Sequence, residues 1–289
     1  MNRTRDAILS LLLIGVLGIF LWWADGHLDK YQIQVLNNVA INIILAVSLN
    51  LIYGFTGLFS LGHAGFMLVG AYVCAILILP TSQKVATFIL QPMMWPFSVM
   101  NAPFLVAVLA GGLVAAAFGF LIAFPVLRLG GDYLGIASLG FAEILRVVAN
   151  NIVPITNGAL GLKGIPKEAN LWWNFGWCVV TLIIIARLIN SNAGNVLKAI
   201  RDDEVAAKAM GIDVFRWKLI SFTLGAFFAG IGGALLGSLV TTISPKMFTF
   251  LLTFNVLMIV VAGGLGSITG TVISGVFITI LMERLRFVA

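Results

Sequence analysis

Charged side chains are scarce in this chain. Only 10% of its 289 residues are Asp, Glu, Lys or Arg, whereas 61% are hydrophobic. Soluble domains have about 25% charged residues, so this chain has too few charges to cover a water-facing surface of its size. The composition excludes an ordinary soluble globular protein and indicates a protein whose solvent is the lipid bilayer.

Cysteine and histidine are also rare, at two residues each. Cys74 and Cys178 both lie in apolar runs, which predicts two small buried side chains and no structural disulfide. His27 and His63 cannot form a zinc cluster without more ligands than the sequence offers. We therefore expect neither a disulfide framework nor a metal site.

Enzyme motifs are missing as well. The sequence has no Gly-x-x-x-x-Gly-Lys-Ser/Thr phosphate-binding loop, so any ATP hydrolysis must belong to other chains. It has no Gly-x-Ser-Gly tetrad of a serine-type intramembrane protease. Asp132, the candidate for an aspartyl type, has no partner Asp within a membrane segment. We expect no enzyme activity and no bound cofactor.

Long apolar runs fill most of the chain. A membrane-spanning helix needs about 20 predominantly apolar residues, and many runs approach or exceed this length. The nine candidate spans are Ile8–Trp23, Ile33–Tyr53, Gly62–Leu79, Pro103–Leu127, Asp132–Ala149, Leu171–Ile189, Leu219–Val240, Phe248–Ala262 and Ile268–Met282. The sequence therefore predicts an all-α membrane protein, a polytopic bundle of about nine spans that forms one domain over residues 1–289.

Basic residues indicate the orientation of the bundle. Arg3 and Arg5 precede the first span, and the connection 190–218 has the densest basic cluster in the chain. Lys and Arg favour cytoplasmic loops, so we place the N-terminus and this connection in the cytosol. The connections expected outside are 24–32, 80–102, 150–170 and 241–247. The same bias accounts for the net charge of +6, and nucleic acid is not expected as a partner.

The connection 190–218 contains a pattern typical of a short capped helix. Asp202 is a good N-cap, Asp203 and Glu204 follow in the first turn where negative charge is favourable, and Gly211 is a typical stop. The pattern predicts about two turns, roughly 12 Å in length.

Alanines give this predicted helix a small, smooth face. Ala206, Ala207 and Ala209 fall within it, and such a face suits docking into a groove on another protein. On spacing alone, an ordinary surface helix explains the pattern equally well.

Glycine clusters near each end of the chain predict breaks in the helices. The first cluster is Gly54, Gly57, Gly62, Gly65 and Gly70, and the second is Gly263, Gly264, Gly266 and Gly270. Broken helices expose backbone groups that can contact a polar solute. Such backbone is tolerated at membrane depth only where it is buried in protein or lines a cavity. Two breaks are compatible with the internal repeats of transporter folds.

Three polar features within or beside the spans have open interpretations. Ser60 to His63 lies in the first break, where His63 either lines the solute path or bonds to neighbouring backbone. Glu143 and Arg146, at i and i+3 in the fifth span, permit an intrahelical pair, a subunit contact or a solute contact. Thr156 to Gly158 is either a simple turn or part of the path on the outer side.

Several motifs resemble one transporter family. Glu204-Val-Ala-Ala, with Gly211 seven residues after the glutamate, resembles the coupling-helix (EAA-type) motif of ABC importer permeases. The longer string Lys198–Asp213 is similar to the LivM-type branched-chain amino-acid permease family. Three further matches, in the expected order, are Asn50–Phe66 with Gly70–Tyr72, Thr156–Pro166 and Gly263–Gly270. The resemblance covers roughly residues 35–285.

The resemblance implies an ATP-driven importer of Leu, Ile and Val in the bacterial inner membrane that works by alternating access. The implied partners are a related permease in a heterodimer, two cytosolic ATPase subunits that use ATP and Mg²⁺, an external solute-binding protein and the lipid bilayer. The expected ATPase contacts are Arg201, Asp202, Asp203, Glu204, Ala206, Ala207 and Gly211. The expected path residues are Ser60, Gly62, His63, Gly65, Thr156, Asn157 and Gly158.

Two other functions stay open at this stage. Permeases for urea or short amides share these motifs, so the chain alone does not identify the solute. A secondary transporter or channel is the other alternative, although neither needs a capped alanine-rich coupling helix. Family members usually continue beyond this point with another span and a cytosolic tail. We therefore expect the last helix to end outside and the usual final span to be missing.

Overall fold

The computed structural model describes residues 3–88, 91–128 and 133–285, with side chains from residue 15 onward. The helices are α1 Arg3–His27, α2 Lys30–Asn50, α3 His63–Ile78, α4 Thr81–Thr87, α5 Phe104–Val126, α6 Tyr133–Asn151, α7 Val153–Thr156, α8 Leu171–Ile189, α9 Asn192–Asp202, α10 Glu204–Ala209, α11 Val214–Val240, α12 Phe250–Gly263 and α13 Ile268–Leu285. A π-helical turn, Leu51–Phe55, continues α2. Short 3₁₀ turns are Gly158–Leu160 and Pro245–Met247, and the strands are β1 Leu162–Lys163 and β2 Thr242–Ile243.

The predicted all-α polytopic bundle is confirmed. Each of the nine predicted spans corresponds to a described helix. Seven of the described helical segments are long and apolar enough to cross a membrane, and α3 with α4 forms a further segment bent by 120°. Asp132, the predicted start of the fifth span, lies outside the described residues. The first predicted span lies within the longer helix α1.

Helix α11 begins five residues earlier than predicted. This helix was predicted from Leu219 but begins at Val214, because the Asp213 side chain caps it by accepting a hydrogen bond from the Arg216 amide at 3.1 Å. Arg216 and Lys218 therefore belong to a helix and not to the loop 190–218. Because Arg216 and Lys218 are charged, the first turn of α11 does not appear as part of an apolar run. The capping aspartate, Asp213, can nevertheless be recognised in the sequence.

Helix α2 lies at the centre of the bundle and is bound to its neighbours by polar side chains. Its C-terminal half is buried almost completely. Asn37 accepts a hydrogen bond from Asn174 of α8 at 2.8 Å, and Asn42 donates one to Thr279 of α13 at 2.9 Å. Apolar burial does not distinguish a neighbouring helix from lipid, so such interhelical hydrogen bonds help to select the partners of α2.

Glycines allow α3, α5 and α11 to pack with their backbones almost in contact. A Cβ atom on Gly70 would lie 2.1 Å from the Gly230 carbonyl oxygen of α11. One on Gly111 of α5 would lie 2.8 Å from the Gly70 oxygen. No larger residue fits at this crossing, which explains why glycine is abundant in an otherwise bulky apolar sequence.

Contacts between the connections group them into two ends of the bundle. At one end β1 pairs with β2 in antiparallel register, which joins the connections 150–170 and 241–247. Tyr31 donates a hydrogen bond to Glu283 at 3.1 Å, so α13 finishes at the end of the bundle where α2 begins. At the other end Arg201 contacts Gly54. This grouping agrees with the predicted alternation of spans.

Candidate coupling segment and solute path

Two short helices, α9 and α10, form the predicted coupling segment. They meet at Asp203, whose extended backbone starts α10 and whose carboxylate accepts hydrogen bonds from the amides of Val205 at 2.8 Å and Ala206 at 3.0 Å. The predicted N-cap, Asp202, is wrong by one residue. Asp202 ends α9 and is paired with Arg201. Either aspartate satisfies the local pattern, so only the observed backbone geometry distinguishes them.

Helix α10 is shorter than predicted. Its six residues correspond to about 9 Å. The chain leaves it through Gly211, whose φ of +81° lies in the left-handed region, where a β-branched residue is strongly disfavoured. No atom lies within 4 Å of a Cβ built on Gly211, so the backbone conformation alone requires glycine here.

The alanines of α10 do not share one face. Ala206 and Ala209 are exposed, whereas Ala207 is only 4% exposed and packs in a small cluster with Ile200 and Val214. The expectation that Ala207 belongs to the docking face is therefore wrong, because this side chain attaches α10 to the rest of the chain.

Two apolar residues flank the exposed alanines and were missed in the sequence. Val205 is 77% exposed and Met210 is 82% exposed. Isolated apolar residues in a charged loop are the signal that could have revealed them. The surface that α10 presents consists of Val205, Ala206, Ala209 and Met210, and we call it the α10 face.

Glu204 attaches α10 to α11. Its carboxylate forms ion pairs with Lys218 of α11 at 2.5 Å and with Lys208 at 2.9 Å. The hydrogen bond from Lys218 is the main reason that the pKa of Glu204 lies below its usual value, partial burial opposes this effect, and Lys208 adds to it. The glutamate of the EAA-type motif is thus an anchor inside this chain.

Arg201 links the coupling segment to the end of α2. Its guanidinium donates to the Gly54 carbonyl at 3.1 Å, in the π-helical turn, and to Asp202 at 2.8 and 2.9 Å. π-Helical turns are rare and occur frequently at functional sites. Arg201 therefore connects the partly exposed helix α9 to an irregular turn in the central helix.

Asn50 extends this link to the loop between α12 and α13. Its side-chain oxygen accepts from the Gly266 amide at 2.9 Å, and its amide donates to Ser267 at 3.1 Å and to Thr271 at 2.8 Å. A Cβ atom on Gly54 would lie 1.7 Å from the Asn50 oxygen. Glycine at 54 is therefore required for the link to form.

The segment 56–62 is a largely buried break between α2 and α3, as the glycine pattern predicted. His63, the first residue of α3, is fully buried, and its Nε2 is 2.9 Å from the Ser48 hydroxyl. This hydrogen bond joins His63 to a side chain of α2, and whether His63 also lines the solute path stays a prediction. Ser60 is also buried, and its hydroxyl is 3.4 Å from the Gly62 amide.

Gly62 and Gly65 bring the start of α3 against α6. A Cβ on Gly62 would lie 2.8 Å from the Ser138 carbonyl oxygen, and one on Gly65 would lie 2.9 Å from the Cα of Ala142. Ser138 also accepts a hydrogen bond from the Leu61 amide at 3.0 Å. Both glycines are needed for this close approach of the break to α6.

Thr156, Asn157 and Gly158 form a tight turn after α7. The Thr156 hydroxyl bonds to the carbonyls of Ala149 at 2.5 Å and Ile152 at 2.7 Å. Asn157 has a positive φ of 60° and donates to Gly161 at 2.8 Å. These contacts explain the motif as a turn. The turn contacts the end of α6, whereas Gly62 and Gly65 contact the first two-thirds of that helix. The predicted path residues therefore do not form one cluster.

Three other sequence predictions concern the charged pair in the fifth span, the cysteines and the metal site. Glu143 and Arg146 form the intrahelical pair, with Arg146 Nε 3.0 and 2.9 Å from the two Glu143 oxygens. Cys74 and Cys178 are buried free thiols, as predicted. Among the described residues, no group of three or more His, Cys, Asp or Glu side chains is placed to hold a metal ion.

The sequence is similar to a family of known transport proteins. Residues 31–289 match the family model described as branched-chain amino acid transport system / permease component. The chain is 32% identical, over 96% of its length and 68% of the relative, to the high-affinity branched-chain amino acid transport system permease protein LivM of Salmonella typhimurium.

More distant relatives include permease proteins of two names. The probable branched-chain amino acid transport permease protein LivM of Methanocaldococcus jannaschii is 24% identical over 84% of this chain and 79% of the relative. The high-affinity permease protein LivH of Salmonella typhimurium is 24% identical over 85% of this chain and 82% of the relative. No solved structure matches the chain significantly.

Proposed function

The chain belongs to the family of permease components of branched-chain amino acid transport systems, and we propose that it is a permease subunit of an ATP-driven importer of leucine, isoleucine and valine. The family match over residues 31–289 carries this proposal, because it spans both the helix bundle and the coupling segment. The chain is a transport component and not an enzyme. We place it in the bacterial inner membrane with its N-terminus and α9–α10 in the cytosol.

The complete importer contains further chains. Relatives of two kinds, LivM and LivH, support a pair of related permeases. Two cytosolic ATPase subunits bind ATP with Mg²⁺ and hydrolyse it, and an external binding protein delivers the solute. This chain itself binds no cofactor. The segment 150–170, which contains Thr156 to Gly158, faces the binding protein in this arrangement.

The α10 face docks into the ATPase. It combines two exposed apolar anchors, Val205 and Met210, with two small residues that permit close contact. Asp203 caps the helix and Glu204 attaches it to α11. A short helix that is attached to α11 by Glu204 and packed against Val214 of α11 by Ala207 can transmit displacement, because it cannot easily move independently of α11.

Displacement reaches the spans through the Arg201 link. Arg201 bonds to the Gly54 carbonyl, and Asn50, one turn earlier, bonds to the α12–α13 loop. Movement of α9–α10 therefore acts on α2 and α13 together. The adjacent break at residues 56–62 and the first turn of α3 are the part of the path that this movement opens and closes in alternating access. Together they contain Ser60, Gly62, His63 and Gly65.

Reconstituted transport tests the proposal. The complex, with its ATPases and binding protein, should accumulate labelled leucine in proteoliposomes only with ATP, and unlabelled isoleucine and valine should compete. Competition by urea alone would favour the urea and short-amide alternative. ATP-independent uptake by the isolated chain would contradict the coupling mechanism and favour a secondary transporter.

A further inference from the structure

An ion pair lies on the exposed side of α6, near the middle of this membrane span. Glu143 is the eleventh of the nineteen residues of α6, which is about 15 Å along the helix. The Glu143 side chain is 49% exposed and that of Arg146 is 27% exposed. Charged groups in the bilayer core are costly and normally face protein or a water-filled cavity.

The pairing with Glu143 keeps the Arg146 charge near the middle of the span. A lipid-facing arginine five residues from the end of a helix extends toward the nearer interface, where its charge stays hydrated. Arg146 instead reaches back one turn toward the middle of α6 to bond Glu143. Both charges therefore stay near mid-span depth, where lipid cannot solvate them and a protein partner can.

The surface around the pair can accept a second helix. Gly140 lies one turn before Glu143 and is exposed, with no atom within 4 Å of a Cβ built there. Ile136 and Ile144 flank it as exposed apolar residues. An uncovered glycine beside apolar side chains allows close helix approach in a membrane. We call Ile136, Gly140, Glu143, Ile144 and Arg146 the α6 face.

Other helices distinguish this face from lipid-facing surface. Helix α12 packs beside α6 and has an exposed polar residue of its own, Asn255. In contrast, the exposed mid-span residues of α13, which include Ile273 and Phe277, are apolar. Such an apolar surface is what a bilayer requires, so the polar side formed by α6 is the one that needs a protein partner.

We propose that the α6 face is the surface on which the second, related permease chain packs, with Gly140 at the closest approach and the Glu143–Arg146 pair covered by the partner. This inference rests on the permease pair of the proposed function and specifies its interface. The occupant is the related permease, because the relatives of this chain include two kinds of permease, LivM and LivH, and because an apolar flank with an open glycine suits a transmembrane helix better than a water-filled cavity.

Leucine substitution at two open glycines tests the interface. In Gly140→Leu the monomer has room for the new side chain, but a partner helix does not. Gly176→Leu is the matched control, because Gly176 is also exposed, helical and open, but on α8. The complex is co-expressed with its tagged related permease, and co-purification and thermal stability of this chain are measured.

We expect Gly140→Leu to reduce the co-purified permease by about tenfold or more, with this chain as stable as wild type and Gly176→Leu unchanged. Wild-type recovery of the partner by Gly140→Leu would overturn the assignment of the face. Absence of any related permease from wild-type preparations would instead overturn the proposed pair, and the inference with it.

A photo-crosslinking residue gives a second test that does not depend on overpacking. Placed at Ile144 it should form a product with the related permease, and placed at Phe277 of α13 it should form products with lipid alone. Lipid products alone at Ile144 would contradict the proposal. So would labelling of an Ile144→Cys variant in the intact complex by a membrane-impermeant thiol reagent, which would indicate a water-lined surface.

Discussion

Replacing Ala206 with tryptophan should separate ATPase docking from folding of this chain. Ala206 is exposed on α10, so the new side chain meets no neighbour within the permease. Exposed substitutions of this kind usually change stability by less than about 0.5 kcal/mol. At a docked surface, however, overpacking typically costs about 1–3 kcal/mol, which corresponds to about 5- to 150-fold weaker binding.

The neighbouring alanine provides the contrast. Ala207→Trp places a large side chain among Ile200 and Val214, where Ala207 is 4% exposed. The cost, about 1–3 kcal/mol or more, then falls on the attachment of α10 within this chain. We expect Ala207→Trp to lower the thermal stability of the cytosolic segment as well as its docking. Val85→Trp, at an exposed site on α4, is the control for a bulky surface residue.

The assay combines co-purification of the ATPase subunits, substrate-stimulated ATP hydrolysis and uptake in proteoliposomes. Ala206→Trp should lose ATPase binding and both activities at normal permease abundance and stability, and Val85→Trp should retain all of them. Wild-type coupling in Ala206→Trp would refute the assignment of the α10 face. Reduced abundance equal to the loss of transport would also count against it.

Further predictions follow from single contacts. Arg201→Gln should keep basal ATP hydrolysis but lower the solute transported per ATP, measured in proteoliposomes, because the bond to Gly54 is lost. Gly211→Val should lower coupling, while Gly211→Asn should be tolerated, since asparagine adopts positive φ. Gly62→Leu should reduce uptake more than membrane insertion, and equal losses would indicate a purely structural role. Because the pKa of Glu204 is lowered, its stabilisation is present above pH 4.5 and lost as pH falls further. The stability gap between wild type and Glu204→Gln should therefore close in acid melts.

The fold could be predicted largely from apolar run length, because a bilayer permits few solutions other than helices. Errors concern places where polar residues decide the structure. Arg216 and Lys218 hid the first turn of α11, and adjacent aspartates at 202 and 203 left the cap ambiguous. The inward position of Ala207 depends on contacts with Ile200 and Val214, which lie on other helices and carry no local signal.

The residues proposed for the solute path also show that composition alone does not predict which contacts form. Ser60 to Gly65 and Thr156 to Gly158 share a polar, glycine-rich composition, yet the structure uses them differently. The first set is buried at the end of the break and in the first turn of α3, whereas the second closes a turn with its own side chains. Composition indicates that backbone leaves the helix, but only the hydrogen-bond partners show whether polar groups are already satisfied.

The two glycine clusters illustrate what sequence separation conceals. One contains Gly54 and the other Gly266, more than 200 residues apart, and each by itself predicts a local break. In the structure the two breaks meet, because a Cβ on Gly54 would lie 2.4 Å from the Gly266 nitrogen and Asn50 bonds to Gly266. Arg201 contacts the same place through the Gly54 carbonyl. Because both breaks and the coupling segment share this junction, a displacement of α9–α10 acts on α2 and on the α12–α13 loop together.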